Sequence, residues 1–176
     1  PALRLVYDNQ KDIESSPGTK VCNTIGYFTK ENLPFALDYH YDEVWFVVFS
    51  HNAKFIASSS KDKSIMLWKL NPVSATYDHH TTFTGHSEAC SFICWSPDDR
   101  YLVSASNDRT ARLWIPPEID AGSDNSSNSS ARTPSAGYCA RVFTKHTESV
   151  TAVAWLKDSQ HFVTSGFDKC VYLWHI

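Results

Sequence analysis

Three histidines in this chain are each followed by an aspartate 22 residues on and a tryptophan 28 residues on: His40, Asp62, Trp68; His86, Asp108, Trp114; His146, Asp168, Trp174. Neither gap varies between the sets. Three unrelated segments do not keep two spacings in common, so the chain is an internal repeat. The unit to be explained is the repeat, not any single residue.

Set in register on the histidine, the units read HYDEVWFVVFSHNAKFIASSSKDKSIMLW, HSEACSFICWSPDDRYLVSASNDRTARLW and HTESVTAVAWLKDSQHFVTSGFDKCVYLW. Each holds three short apolar runs separated by polar turns. In the second unit the runs are Cys90–Trp95, Tyr101–Ala105 and Thr110–Ile115, and Ser96-Pro97-Asp98-Asp99-Arg100 between the first two carries strong turn chemistry. Runs this short and this rich in β-branched and aromatic residues predict strands, not helices. A fourth short run precedes each histidine, at Phe35–Leu37, Thr82–Thr84 and Val142–Thr144. Four strands per unit of roughly 40 to 45 residues is the pattern of a propeller blade, and predicts an all-β fold of four-stranded antiparallel blades.

The units resemble the WD-repeat, or β-transducin, family. Gly85-His86 matches its GH dipeptide, and Leu67-Trp68, Leu113-Trp114 and Leu173-Trp174 stand at its WD dipeptide. Tyr39 and Lys145 replace the glycine before His40 and His146, and leucine replaces the aspartate of the dipeptide throughout. The resemblance covers about residues 34 to 176. It implies a buried hydrogen-bonded tetrad in each unit: His40, Ser58, Asp62 and Trp68; His86, Ser104, Asp108 and Trp114; His146, Thr164, Asp168 and Trp174. A buried aspartate in a tight turn needs donors, and a neutral imidazole N–H supplies one. Ser104, His86 and Asp108 also have the composition of a hydrolase triad. That reading is set aside, because the trio recurs once per repeat and a catalytic site does not.

Composition bounds the rest. The chain has 176 residues, 42% of them hydrophobic, which suffices for a globular core. A net charge of −3 gives no bias toward polyanions, so direct nucleic-acid contact is not expected. No apolar run reaches membrane-spanning length, and the first residues, Pro-Ala-Leu-Arg, lack a signal-peptide h-region, so neither a membrane span nor a secretory leader is expected. Cys22, Cys90, Cys94, Cys139 and Cys170 are odd in number and scattered, which points away from a disulfide framework and toward the cytosol or nucleus. Cys90 and Cys94, at even spacing on one strand, are read as small core thiols on one face. His79-His80 lacks further ligands at metal spacing and is read as loop. Neither a metal, a cofactor, nor a small-molecule substrate is expected.

The domain reading is an N-terminal extension over 1–33, repeats over 34–71, 80–115 and 139–176, and a Ser/Asn-rich insertion over 116–138. The insertion has almost no large apolar residue and predicts a disordered surface loop between two strands of the second blade. It holds the sequons at Asn125 and Asn128, without meaning in the cytosol, and Thr133-Pro134, which reads equally as a phosphorylation site or as plain linker. In the extension, Leu3–Tyr7 is a candidate strand or helical turn. Two full blades and one of three strands fall short of the four to eight of a propeller. The expectation is a piece of a longer chain, with apolar end faces that make the isolated piece associate.

A propeller's fold does not give its function. The resemblance places partners on the rim positions three and five residues after the histidine and one before the aspartate. These are Glu43, Trp45 and Lys61; Ala89, Ser91 and Asn107; Ser149, Thr151 and Phe167. Trp45 and Phe167 are the aromatic candidates for binding anchors; Trp45 also reads as packing against a neighbouring blade. DEVWF (Asp42–Phe46), the SKD turn before Trp68 and WSPDDRYLV (Trp95–Val103) are similar to the WD-repeat subunit of the GID/CTLH ubiquitin ligase. That resemblance implies a non-catalytic adaptor or substrate receptor whose partners are ligase subunits and substrate proteins. The alternative is a generic adaptor in a signalling, chromatin or RNA-processing complex. An enzyme is not expected, since no metal cluster, phosphate loop or unrepeated nucleophile–base pair stands out.

Overall fold

The short apolar runs become strands because each is bounded by a turn that reverses the chain. The computed structural model describes residues 36–117 and 137–176. Eleven strands lie among those residues. β1 (Val44–Phe49), β2 (Phe55–Ser60), β3 (Ile65–Asn71) and β4 (Thr76–Phe83) form one antiparallel sheet in chain order. β5 (Cys90–Trp95), β6 (Leu102–Ser106), β7 (Ala111–Ile115) and β8 (Tyr138–Phe143) form a second. β9 (Val150–Trp155), β10 (His161–Gly166) and β11 (Val171–His175) form a third. β1 packs beside β5 and β5 beside β9, so the first strand of each sheet is the inner one. Among the described residues the fold is a partial β-propeller of two four-stranded blades and one three-stranded blade.

The blades stack through faces that repeat. Phe46, Ala57, Ile65 and Leu67 of the first blade meet Ile93, Trp95, Leu102 and Trp114 of the second. At the next junction Phe92, Val103, Ala111 and Leu113 meet Val153, Trp155, Phe162 and Trp174. Counted from the repeat histidine these are the same positions. Each blade therefore offers its tryptophan face to the blade before it, and the core lies between blades. The residue three before each histidine closes this core: Phe83 packs on Trp114, Phe143 on Trp174, and Leu37 joins Trp68 and Ile56.

Strand periodicity breaks at one place in every inner strand. Val44 pairs with Ser60 and Phe46 with Ser59, leaving Trp45 as a bulge; Ser91 and Thr151 are bulged at the equivalent points. A bulge reverses the face that alternation assigns. Cys90 accordingly lies in the first junction and Cys94 against the second, on opposite faces, which corrects the expectation that even spacing puts them together. Burial pushes the Cys90 thiol up to about 12, so it stays protonated and inert.

The outer strands are longer than their apolar runs. β4 starts at Thr76, so His79-His80 is strand and not loop. Two features hold it there: Asn71 Oδ1 accepts from the Val73 and Ser74 amides to close the hairpin, and the His79 ring stacks on Tyr39. β8 likewise starts at Tyr138. Of the run read at Phe35–Leu37, Ala36 makes an isolated bridge and Leu37 lies outside any strand, while Phe35 is outside the described residues. Also outside them lie Leu3–Tyr7, Cys22, the two sequons and Thr133.

Gly85 is the one glycine of a repeat GH pair, and its environment explains why. A Cβ there would come within 2.6 Å of the Arg112 guanidinium, at a φ of 153°. In the other repeats Met66 and Tyr172 stand in place of Arg112, and Tyr39 and Lys145 in place of Gly85.

Candidate functional site

Each repeat aspartate sits in the turn between the second and third strands. The residue after it adopts the left-handed conformation: Lys63 at φ 74°, Arg109 at 70° and Lys169 at 66°. This is a tight turn closed by a left-handed residue, the usual form of a three-residue hairpin. It points the aspartate carboxylate back across the strand ends. There Oδ1 accepts the amide N–H two residues on, from Ser64, Thr110 or Cys170. Oδ2 accepts the amide after the histidine, from Tyr41, Ser87 or Thr147.

The side chains close the tetrad in all three repeats. His40 Nδ1 lies 2.8 Å from Asp62 Oδ2, and its Nε2 lies 2.8 Å from Ser58 Oγ, which Trp68 Nε1 reaches at 3.0 Å. The same distances are 2.7, 2.7 and 2.8 Å around His86, and 2.7, 2.8 and 2.8 Å around His146. The indole can only donate and the carboxylate only accept. One proton arrangement satisfies every atom: indole N–H to hydroxyl oxygen, hydroxyl to Nε2, and Nδ1–H to carboxylate. The imidazole is neutral in that chain.

The aspartates answer to two opposing influences. Burial raises the Asp62 carboxyl, but donation from the Ser64 hydroxyl and amide, His40 and the Tyr41 amide outweighs it, leaving it at about 2. Asp108 is held lower still: burial is outweighed by His86 and the Thr110 hydroxyl. Asp168 is lowered too, against burial, by the Cys170 amide and His146. The third repeat has fewer donors. Gly166 replaces Ser60 and Ser106, whose hydroxyls accept the aspartate amide, and Cys170 replaces Ser64 and Thr110, whose hydroxyls donate to the carboxylate.

The tetrads pin turns to strands and present no reacting atom. Ser104 is fully buried and its oxygen is engaged by both His86 and Trp114. Among the described residues no group of three His, Cys, Asp or Glu is placed to hold a metal ion, and no helix is long and apolar enough to cross a membrane.

The rim positions do come together. The amide before each aspartate donates to the carbonyl three residues past the histidine: Lys61 to Glu43, Asn107 to Ala89, Phe167 to Ser149. The bulge beside them carries Trp45, Ser91 or Thr151. The three repeats differ in what they leave open. Ala89 is buried. The Ser91 hydroxyl donates to Val150 O at 2.7 Å, Thr151 to Ser165 O and Ser149 to Asn107 O, so these hydroxyls bond blade backbone. On the first blade Trp45 is 42% exposed, its Nε1 donating to Glu43, while Lys61 lies near Asp42 and Glu43. Phe167 is 72% exposed at the far end of the same rim.

Sequence reasoning missed one joint. Asp99 of the β5–β6 turn accepts the His51 and Asn52 amides at 2.7 and 2.8 Å, and His51 Nδ1 at 2.8 Å. It latches the second blade to the β1–β2 turn of the first. Asp98-Asp99 reads as ordinary turn chemistry, and nothing in the string marks which carboxylate turns to the neighbour.

Comparison with known proteins agrees with this geometry. The model of the WD domain, G-beta repeat, matches residues 32–69, 77–114 and 137–175. The chain belongs to the WD-repeat family, whose repeats mark a protein-interaction scaffold. It is 30% identical to the "WD repeat-containing protein 26 homolog" of Arabidopsis thaliana over 140 residues, which is 80% of this chain and 20% of that protein. A WD repeat-containing protein of Dictyostelium discoideum is 47% identical over 36 residues, 20% of this chain and 6% of the other. The chain thus spans about a fifth or less of the length of these relatives.

Proposed function

We propose that this chain is a non-catalytic adaptor or substrate-receptor element of a GID/CTLH-type ubiquitin ligase, working in the cytoplasm or nucleus. The blades hold partner proteins, and other chains carry the ubiquitin-transfer chemistry. The observation that supports this most is the rim of the first blade, where DEVWF presents a half-open indole on a bulge. Glu43 orients the indole and Lys61 lies on the facing turn. A rigid aromatic framed by charged groups of both signs is the kind of anchor around which interface energy concentrates. The same rim supports a second reading, an adaptor in a signalling, chromatin or RNA-processing assembly, because the WD repeats themselves specify only a scaffold.

Affinity purification from the native cells, with mass spectrometry, separates the two. The ligase reading predicts RING-type and helical ligase subunits, recovered at least tenfold less with Trp45→Ala. Recovery of an unrelated assembly would leave the second reading.

A further inference from the structure

A different residue covers each tetrad. Met66, Arg112 and Tyr172 hold the same place in the three repeats, and each pairs across the sheet with the residue that supplies the tetrad hydroxyl, Ser58, Ser104 or Thr164. Met66 packs with Trp68, and Tyr172 meets His146 edge-on. Uncharged side chains cover the tetrad in two repeats, so the fold needs no charge at this position.

Arg112 brings a guanidinium there and gives it no acceptor. Its Nε is sealed from solvent without a hydrogen-bond partner. Its two terminal nitrogens have no hydrogen bond or ion pair among the described residues either, and they are not sealed, because the side chain is only partly buried. An arginine loose on the surface keeps all its nitrogens in water. Sealing a charged donor without an acceptor is costly, so packing, not solvation, holds this pose. Gly85 is part of that packing, since a Cβ there would come within 2.6 Å of Nη1. Tyr39 and Lys145 replace Gly85 in the other repeats, so the repeat with the arginine is the one whose glycine makes room for it. Across from Arg112 on β8, Val142 lies on the same face and is 41% exposed. The first and third blades flank this one, so the corner does not lie on an end face.

We propose that Arg112 receives the carboxylate of an Asp or Glu side chain from a bound protein segment, at the corner between Gly85 and Val142. Nη1 and Nη2 donate in parallel to the two carboxylate oxygens, the geometry in which a guanidinium recognises this group best. One carboxylate balances one guanidinium, whereas a phosphate dianion leaves charge over. Val142 gives the segment an apolar neighbour to bury. The fixed pose lowers the entropy cost of the contact, because the side chain is ordered before the partner arrives. The site uses none of the residues of the Trp45 rim and does not rest on the ligase reading.

The test is selection of a random peptide library on the 176-residue chain and on Arg112→Met. Met66 fills the same place in the first repeat, so this variant keeps a cover on its tetrad, and far-UV circular dichroism checks its strands. The expected result is a family of peptides with an Asp or Glu at one fixed position. Arg112→Met should bind them at least tenfold more weakly, and so should the unmodified chain once that acid is changed to Asn or Gln. Val142→Asp, which sets a carboxylate of the chain itself beside Arg112, should weaken the same peptides. A selection that yields no peptide, peptides without a fixed acid, equal binding by both chains, or binding that needs Arg112 only when phosphoserine replaces the acid would each overturn the proposal.

Discussion

One neutral imidazole in each repeat passes a hydrogen-bond chain from an indole to a carboxylate, and the three copies differ mainly in how many donors the carboxylate has. Removing the central hydroxyl orphans two buried partners at once. Ser104→Ala is expected to cost about 2–4 kcal/mol in urea unfolding, since His86 Nε2 and Trp114 Nε1 both lose their partner. The carboxylates set an acid limit. Asp62 sits at about 2 in the fold against 3.8 ordinarily, and Asp108 and Asp168 move the same way. A lowered folded value means that the unfolded chain takes up the proton first as pH falls. Stability from these groups is full above about pH 4 and is lost as pH drops toward about 2. Asp62→Asn should flatten part of that slope in denaturation curves taken across the window. In the third repeat, Cys170→Thr restores the hydroxyl donor that Thr110 supplies to Asp108, and should raise stability by about 0.5–1.5 kcal/mol. An unchanged or lower midpoint would show that Asp168 has no need of it.

At the scale of elements, the strands and their turns were legible in the sequence, because alternation and turn residues act locally. The histidine, aspartate and tryptophan of each tetrad could be picked out because one spacing brings them together three times, and the hydroxyl that joins them followed from the resemblance to WD repeats. The bulges could not be read. Ser91 counts as an ordinary strand residue in the string, yet its insertion opposite the Ala105–Ser106 step sends Cys90 and Cys94 to different junctions. The start of β4 is not legible because Asp78, His79 and His80 are polar; Asp78 and His79 are strand through pairing with Lys69 and Trp68 of β3, His79 stacks on Tyr39, and His80 is the bulge that follows. The Asp99 latch is a contact between turns far apart in sequence, which no local pattern encodes. Asp99→Asn keeps a residue tolerant of the left-handed φ of 58° while weakening the acceptor. It should cost about 1–2 kcal/mol and speed amide exchange at His51 and Asn52. Exchange unchanged at those two amides would show that the latch is not what holds the β1–β2 turn.

For the whole molecule, the repeat arithmetic gave the blade architecture, while the residues of the junctions came only with the structure and the rim proved unequal in a way that spacing alone hides. Nine positions share one geometry, but burial of Ala89 and the backbone bonds of Ser91 and Ser149 concentrate the open aromatic surface at Trp45 and Phe167. The central claim is that tetrads hold the blades and the first-blade rim holds partners. The most direct test measures partner recovery and thermal unfolding together for Trp45→Ala. The account predicts a fall of at least tenfold in recovered partners with a melting temperature shifted by less than about 2 °C, as expected for a surface substitution. Undiminished recovery, or a loss of partners that only tracks a large drop in melting temperature, would contradict it and return Trp45 to a packing role.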